Sequence, residues 1–295
     1  MTNDTKINVI LDATSLDTFL TCPAKYSFRF INNKVPELKP TALDRGTLGH
    51  IGFEYYYKAL QNKDDFDHAV QVGVDNLRFT LASDESDLDP EEGAAVITAF
   101  TESCSKWRHL DEQLEIIEVE KSFSRVLYED KYCRIIYIGK IDLLVNHPVG
   151  FPFLPDTKFI PYDHKTYSRD SELLRTANQF SGYAWATDSS YLIVNRVGLQ
   201  KSLKPDVKHK RIPLSYDPLF LDEWKDNTVT ILKHFIECSL DNNWPRYTTS
   251  CMAYNRKCEY HEICNSSGQE AKTCKLSMMR SCEPWDVSAS LGNNK

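Results

Sequence analysis

The 295 residues carry 42 acidic side chains against 35 Lys and Arg, a net charge of −7, with 41% hydrophobic and 12% aromatic residues. That supplies a core for one large domain or two modest ones, and no window approaches the ~18 uninterrupted apolar residues of a membrane span. The acidic excess weakens any reading as a generally basic nucleic-acid coat, yet it is local: residues 62–92 hold ten acids and two bases, leaving the remainder near +1. The start, MTNDTKINVILD, has no basic stretch followed by an apolar run. No secretion signal is therefore expected, and the expected location is the cytoplasm, or the host cytoplasm for a viral protein. Nine cysteines in such a chain argue against a disulfide framework and for metal binding where they cluster.

In chain order, TSLDTFLTCPAKYSFRFI reads as a helix capped by Thr14 or Ser15, with Leu16, Phe19 and Leu20 on one face and a kink or break at Pro23. DRGTLGHIGFEYYYKAL predicts a second helix with His50 and Glu54 one turn apart. Two more helices are expected around 65–82 and 91–110, on either side of SDESDLDPEE. From about residue 114 the texture changes. LEIIEVEKSFSRVLY and KYCRIIYIGKIDLLVN alternate apolar and polar residues and predict strands joined at Glu129-Asp130. HPVGFPFLPDT reads as a loop or hairpin tip, KFIPYDHKT as a strand, and SELLRTANQFSGYAWAT as a helix. YLIVNRVGL and KHKRIPLSY are predicted strands, 217–240 a long helix, and SLGNNK a frayed tail.

This order predicts a mixed α/β fold in a single domain, 1–295. It has an N-terminal helical part (13–113), a sheet core (114–216), a helix with a cysteine segment (217–268) and a tail (269–295). RVGLQKSLKPDVKHKR, residues 196–211, sets six basic residues against one acid and is either a phosphate-binding patch or solvated surface.

One ordered set of polar residues carries chemistry. In GKIDLL, Ile141 and Leu143 can pack inward while Asp142 faces the other side of the strand. In YDHKT, Asp163 and Lys165 are two apart and share a face, and His164 points away. If these strands pair, the two carboxylates can share Mg²⁺ or Mn²⁺, with the His164 carbonyl as a further oxygen ligand. Lys165 would place positive charge beside an attacked phosphate. Gln179 and Tyr183, four apart on the next predicted helix, share a face. Either short motif alone is common surface decoration; their order along the chain is what gives them weight.

That set resembles the PD-(D/E)XK nuclease superfamily, and within it the RecB-like exonucleases, from about residue 14 to 265. GTLGHIGFE looks like the helix that supplies a metal-binding histidine, here His50. GKIDLL looks like the first aspartate motif (Asp142), YDHKT the D-x-K motif (Asp163, Lys165), and QFSGY the Q-x-x-x-Y motif (Gln179, Tyr183). Glu120 in VEKSF matches an acidic residue on the preceding strand. The resemblance implies a restriction-endonuclease-like core, a central mixed sheet flanked by helices, followed by a cysteine-rich cluster-binding segment. Pro155-Asp156 and Pro205-Asp206-Val207-Lys208 spell the family name literally but lack strand-like flanks.

Cys251, Cys258 and Cys264 follow the last long helix and are one ligand short of a usual site. Cys22 would complete four thiolates, or His261 a local zinc site of three thiolates and one imidazole. Packed free thiols are the third reading. The resemblance favours a [4Fe–4S] cluster on Cys22, Cys251, Cys258 and Cys264, since one RecB-like branch, similar to CRISPR-associated and AddB-type nuclease domains, has that layout. Cys104, Cys133 and Cys238 sit at apolar-periodic positions and are expected in the core. Cys274 and Cys282 have no assigned role.

The implied function is a Mg²⁺- or Mn²⁺-dependent deoxyribonuclease, a single-strand exonuclease acting on DNA ends in recombination, repair or replication. Tyr26, Phe28, Tyr55 and Tyr56 are candidates for stacking bases as well as for the core. Alternatives are a nuclease trimming DNA for CRISPR adaptation and a non-catalytic DNA-binding module that kept the fold. No Walker-type glycine loop occurs, so a helicase partner would be a separate polypeptide.

Overall fold

The computed structural model describes residues 6–37, 41–83, 88–146, 159–168, 175–253 and 256–284, with the backbone alone at 41–43. In order these form β1 (Ile7–Leu11), α1 (Ala13–Thr21), α2 (Pro23–Tyr26), β2 (Lys34–Val35), α3 (Thr41–Gln61), α4 (Phe66–Ala82), α5 (Pro90–Asp111), β3 (Glu115–Glu129) and β4 (Cys133–Asn146). There follow β5 (Ile160–Tyr167), α6 (Asn178–Ala186), β6 (Tyr191–Gly198), α7 (Pro205–Lys208), β7 (His209–Ser215) and α8 (Pro218–Leu240). The last elements are β8 (Met252–Ala253), β9 (Arg256–Lys257), α9 (His261–Cys264), α10 (Gln269–Ser277) and β10 (Arg280–Ser281). No helix among the described residues is long and apolar enough to cross a membrane.

Two compact units divide the chain. The first joins residues 1–38, 123–139 and 222–295. Here β1 runs parallel to the start of β4, from Ile7↔Cys133 to Leu11↔Tyr137. The cap of α1 is Asp12, not the expected Thr14 or Ser15. Its carboxylate accepts the Ser15 N–H at 2.7 Å while Ser15 Oγ accepts the Asp12 N–H at 2.9 Å, a reciprocal capping box. The expected break falls at Cys22, whose extended backbone (φ −170°, ψ 117°) separates α1 from α2, with Pro23 at the first position of α2. Tyr26 and Trp244 stack with centroids 5.6 Å apart, and Phe235 closes edge-on to both. β2 pairs with β10, and the buried Tyr260 hydroxyl donates to the Lys34 carbonyl at 2.6 Å.

The second unit holds residues 39–122 and 140–221. Its sheet is mixed: β4 pairs antiparallel with β5, β5 parallel with β6, and β6 antiparallel with β7. Helices α3, α4 and α5 pack Phe53, Tyr56, Tyr57, Leu77 and Phe100 into one core with Leu143, Val145, Ile160 and Ile193 of the strands. A Cβ on Gly73 of α4 would lie 2.9 Å from the Gly52 carbonyl of α3, so these two helices meet at backbone distance. The predicted 171–187 helix is shorter, Asn178–Ala186, preceded by a turn at 175–176, and 171–174 lie outside the described residues. The loop expected at 147–157 also lies outside them, as does Pro155-Asp156. Pro205-Asp206-Val207-Lys208 is the single-turn α7, with Lys208 paired to Glu102 at 2.5 Å.

Candidate active site

Helix α3 runs close against β5 because Gly49 has no side chain; a Cβ there would lie 2.5 Å from Thr166 Cγ2. The next residue, His50, is thereby set beside β4, with Nδ1 3.3 Å from Asp142 Oδ2. Asp142 is buried, as is its strand on both sides of it. The β4–β5 ladder runs through Leu143↔Tyr162. One step further the Asp142 carboxylate itself accepts the His164 N–H, at 2.6 Å.

Glu120 completes a group of three. One ligand atom each from His50, Glu120 and Asp142 lies within 4.8 Å of the others. Glu120 sits inside β3 with φ +56°, a left-handed conformation costing about 1–3 kcal/mol for a residue with a side chain. Such strain inside a strand re-aims a side chain, and this one meets Lys140 Nζ at 2.5 Å. Two carboxylate oxygens and an imidazole nitrogen, with no sulfur among them, fit a hard divalent ion such as Mg²⁺ or Mn²⁺.

Asp163 stands beside this trio rather than in it. Lys165 Nζ lies 3.0 Å from Asp163 Oδ2, as their shared strand face requires. From α6, Gln179 bridges them: its Nε2 donates to Asp163 Oδ1 at 2.8 Å and its Oε1 accepts from Lys165 at 3.0 Å. The same Nε2 donates to Tyr183 Oη at 3.1 Å, and the Tyr183 hydroxyl donates to the Lys140 carbonyl at 2.7 Å. α6 is thus tied to β4 and β5 by one continuous chain of hydrogen bonds.

The two aspartates titrate in opposite directions. Burial opposes ionisation of Asp142, but the His50 imidazole and the His164 N–H outweigh it and hold the carboxyl at about 2. Burial pushes Asp163 up to about 6, against the pull of Lys165 and with the repulsion of Asp142. Burial would lower His50, yet Asp142 raises it above its ordinary value.

The His164 side chain points away from Asp163, into the core. Phe53 and Tyr57 of α3 lie parallel to its ring with centroids 4.5 and 5.4 Å away, and Asn195 Nδ2 donates to Nδ1 at 3.0 Å. Burial drives its pKa down to about 3, so the ring is neutral. Phe53, Tyr57, Asn195 and Lys140 escaped sequence reasoning as site residues. Lys140 shares a strand face with Asp142, and Phe53 and Tyr57 follow His50 at helical spacing, so those signals were available; Asn195 gave none. Glu54, one turn after His50, pairs with Lys58.

Burial decides two open readings. Tyr56 is fully buried and its hydroxyl donates to Asp111 at 3.1 Å, so it stacks no base. Of the 196–211 run, Arg196, Lys208 and Arg211 are buried. Arg211 Nη2 lies 2.7 Å from Asp111 and Arg196 sits over the Tyr167 ring at 4.3 Å, so half the basic run is neither phosphate patch nor solvated surface.

In the first unit, Cys22 is buried and Cys251, Cys258 and Cys264 are half-buried. Burial raises the Cys264 thiol, and the nearby Cys22 raises it further. The Tyr247 N–H donates to Cys22 Sγ at 3.4 Å. His261 faces Glu262, 3.3 Å from its carboxylate. Cys104, Cys133 and Cys238 are buried as expected; Cys274 is exposed and Cys282 half-buried.

The model of the PD-(D/E)XK nuclease superfamily matches residues 11–265. The chain belongs to the PD-(D/E)XK nuclease superfamily. No curated protein sequence matches this superfamily member. Among solved structures it is similar to SSO0001, at 14% identity over 75% of this chain and 76% of that one, with a TM-score of 0.34. It is also similar to a candidate exonuclease from Eubacterium rectale, at 11% identity over 78% and 81% of the two chains, with a TM-score of 0.43.

Proposed function

We propose that this nuclease is a divalent-metal-dependent deoxyribonuclease acting on single-stranded DNA ends. The observation that carries the reading is the convergence of His50, Glu120 and Asp142 within 4.8 Å, beside a lysine paired to a second aspartate. The preference for single-stranded ends rests on the resemblance of the ordered motifs to the RecB-like branch.

Mg²⁺ or Mn²⁺ bound by His50, Glu120 and Asp142, with Asp163 and the His164 carbonyl as candidate further ligands, would supply Lewis-acid charge and an activated water at the scissile phosphate. The protein's own groups do the positioning. Asp142 stays ionised because His50 and the His164 N–H favour its charged form. Lys165, one-third exposed, presents an ammonium that Gln179 aims, and it would stabilise charge developing on the phosphate oxygens. Tyr183 holds α6 against the Lys140 carbonyl, which keeps Gln179 in register.

The deciding experiment is cleavage of labelled single- and double-stranded DNA with Mg²⁺ or Mn²⁺, by wild type, Asp163→Ala and Lys165→Ala. Loss in both variants is expected; equal cleavage by all three would assign the activity to a contaminant. A [4Fe–4S] cluster on Cys22, Cys251, Cys258 and Cys264 belongs to the same reading, acting as a staple between segments far apart in sequence. Cys22→Ala should then lose visible absorbance and much of the folded protein, while a colourless wild type containing zinc would favour the His261 site.

A further inference from the structure

Residues from both ends of the chain line a cavity of about 320 Å³ in the first unit. One wall is a single face of α10, from Gln269 through Lys272 to Leu276. Other walls carry Phe28 from the π-helical segment Ser27–Ile31 after α2, and Trp244 and Arg246 from the segment after α8.

The chemistry of this lining differs from that of the chain around it. The protein's net charge is −7, yet among the described residues the lining includes two cations and no acid. Arg246 gives one donor to the Cys264 carbonyl at 2.5 Å and remains exposed. Lys272 has no side-chain partner among the described residues and is half-buried at the wall. The Trp244 indole is held by its stack on Tyr26 and by donation to Asn242 Oδ1 at 3.3 Å. Phe28 is braced by Tyr260, 5.3 Å away. The cavity meets Cys264 alone among the four cysteines, so it is not the space between the sulfurs.

Fixed aromatic rings beside cations, in a space at the lower end of the ~300–1,000 Å³ range of ligand pockets, suit a base with its phosphate. We propose that this cavity takes one nucleotide of a single-stranded nucleic acid, with the phosphate held by Lys272 and Arg246 and the base against Phe28 and Trp244. The proposal rests on the nuclease reading, but Phe28, Trp244, Arg246 and Lys272 stand outside the group of His50, Glu120 and Asp142.

Binding is measured without cleavage, in EDTA, with a short fluorescein-labelled oligothymidylate read by anisotropy and by tryptophan quenching. Saturable quenching is expected in wild type and its loss in Trp244→Phe, which still binds by anisotropy. Lys272→Ala should weaken binding several-fold and reduce the slope of log affinity against log salt by about 0.7, the loss of one phosphate contact on a single strand. Saturation by dTMP as well would mean that a free nucleotide fits unaided, and saturation by the strand alone that neighbouring nucleotides contribute; both agree with the proposal. Competition by inorganic phosphate equal to that by dTMP would reduce the cavity to an anion site and overturn it. Unchanged affinity and salt slope in Lys272→Ala would overturn it too, even with nuclease activity intact. Quenching by a wild type that cleaves nothing would instead sink the nuclease reading and leave the cavity standing.

Discussion

The His164 N–H and the Asp142 carboxylate are joined at 2.6 Å, where the β4–β5 ladder gives way from backbone pairing to side-chain pairing. A strand donor thus helps to keep a buried acid charged, and the neutral His164 ring, clamped by Phe53 and Tyr57, fixes that donor's direction.

Asp142→Asn tests this directly. The amide keeps an oxygen for the His164 N–H and removes the charge, so the fold should survive. The rise in Tm produced by Mg²⁺ or Mn²⁺ should disappear. Cleavage should fall by more than the ~10–100-fold that loss of an outer-shell partner costs. A retained metal-induced Tm shift would remove Asp142 from the ligand set.

Glu120 predicts an unusual separation of stability from binding. Glu120→Gly relieves a φ of +56° that glycine adopts freely. It loses an ion pair with the half-exposed Lys140, whose loss costs about 1 kcal/mol. Metal-free stability in a urea melt should therefore hold or rise, while stabilisation by Mn²⁺ is lost. A clearly less stable variant would show that the left-handed turn is not strained.

For Gln179 the expected effect is on positioning. Gln179→Ala leaves Asp163 and Lys165 paired but unaimed, so kcat should fall ~10–100-fold with KM little changed. A proportionate rise in KM at constant kcat would make Gln179 a substrate contact instead.

His209 predicts the acid limb of stability. Burial first, against the pull of Glu102, lowers its pKa from 6.5 to about 4. The unfolded chain takes up this proton below pH ~6.5 and the folded chain only below ~4. The contribution is complete above that window and is lost as pH falls through it, up to about 3 kcal/mol. His209→Gln does not titrate, so its urea midpoint should fall less steeply than that of wild type between these limits. Parallel curves would rule the residue out.

Much of this arrangement was legible because strand and helix periods were unambiguous. Alternation in YDHKT put Asp163 and Lys165 on one side and turned His164 inward, and four-residue spacing put Gln179 under Tyr183. What stayed hidden depended on partners distant in sequence. INVIL is too short to announce β1 without β4 beside it. The basic run concealed Arg211 because its counter-charge, Asp111, lies at the end of a helix a hundred residues earlier. Asp12 escaped as a cap because two better-placed hydroxyls followed it.

The pairing of Ile7 with Cys133 also sets an order of events. β1 waits for β4, more than a hundred residues later, and their unit closes only when the segment from residue 222 arrives. The unit holding His50, Asp142 and Asp163 is already complete by residue 221. During synthesis the hydrolytic half would be finished before the cysteine half can close, and a chain truncated after α7 and β7 would release the one without the other.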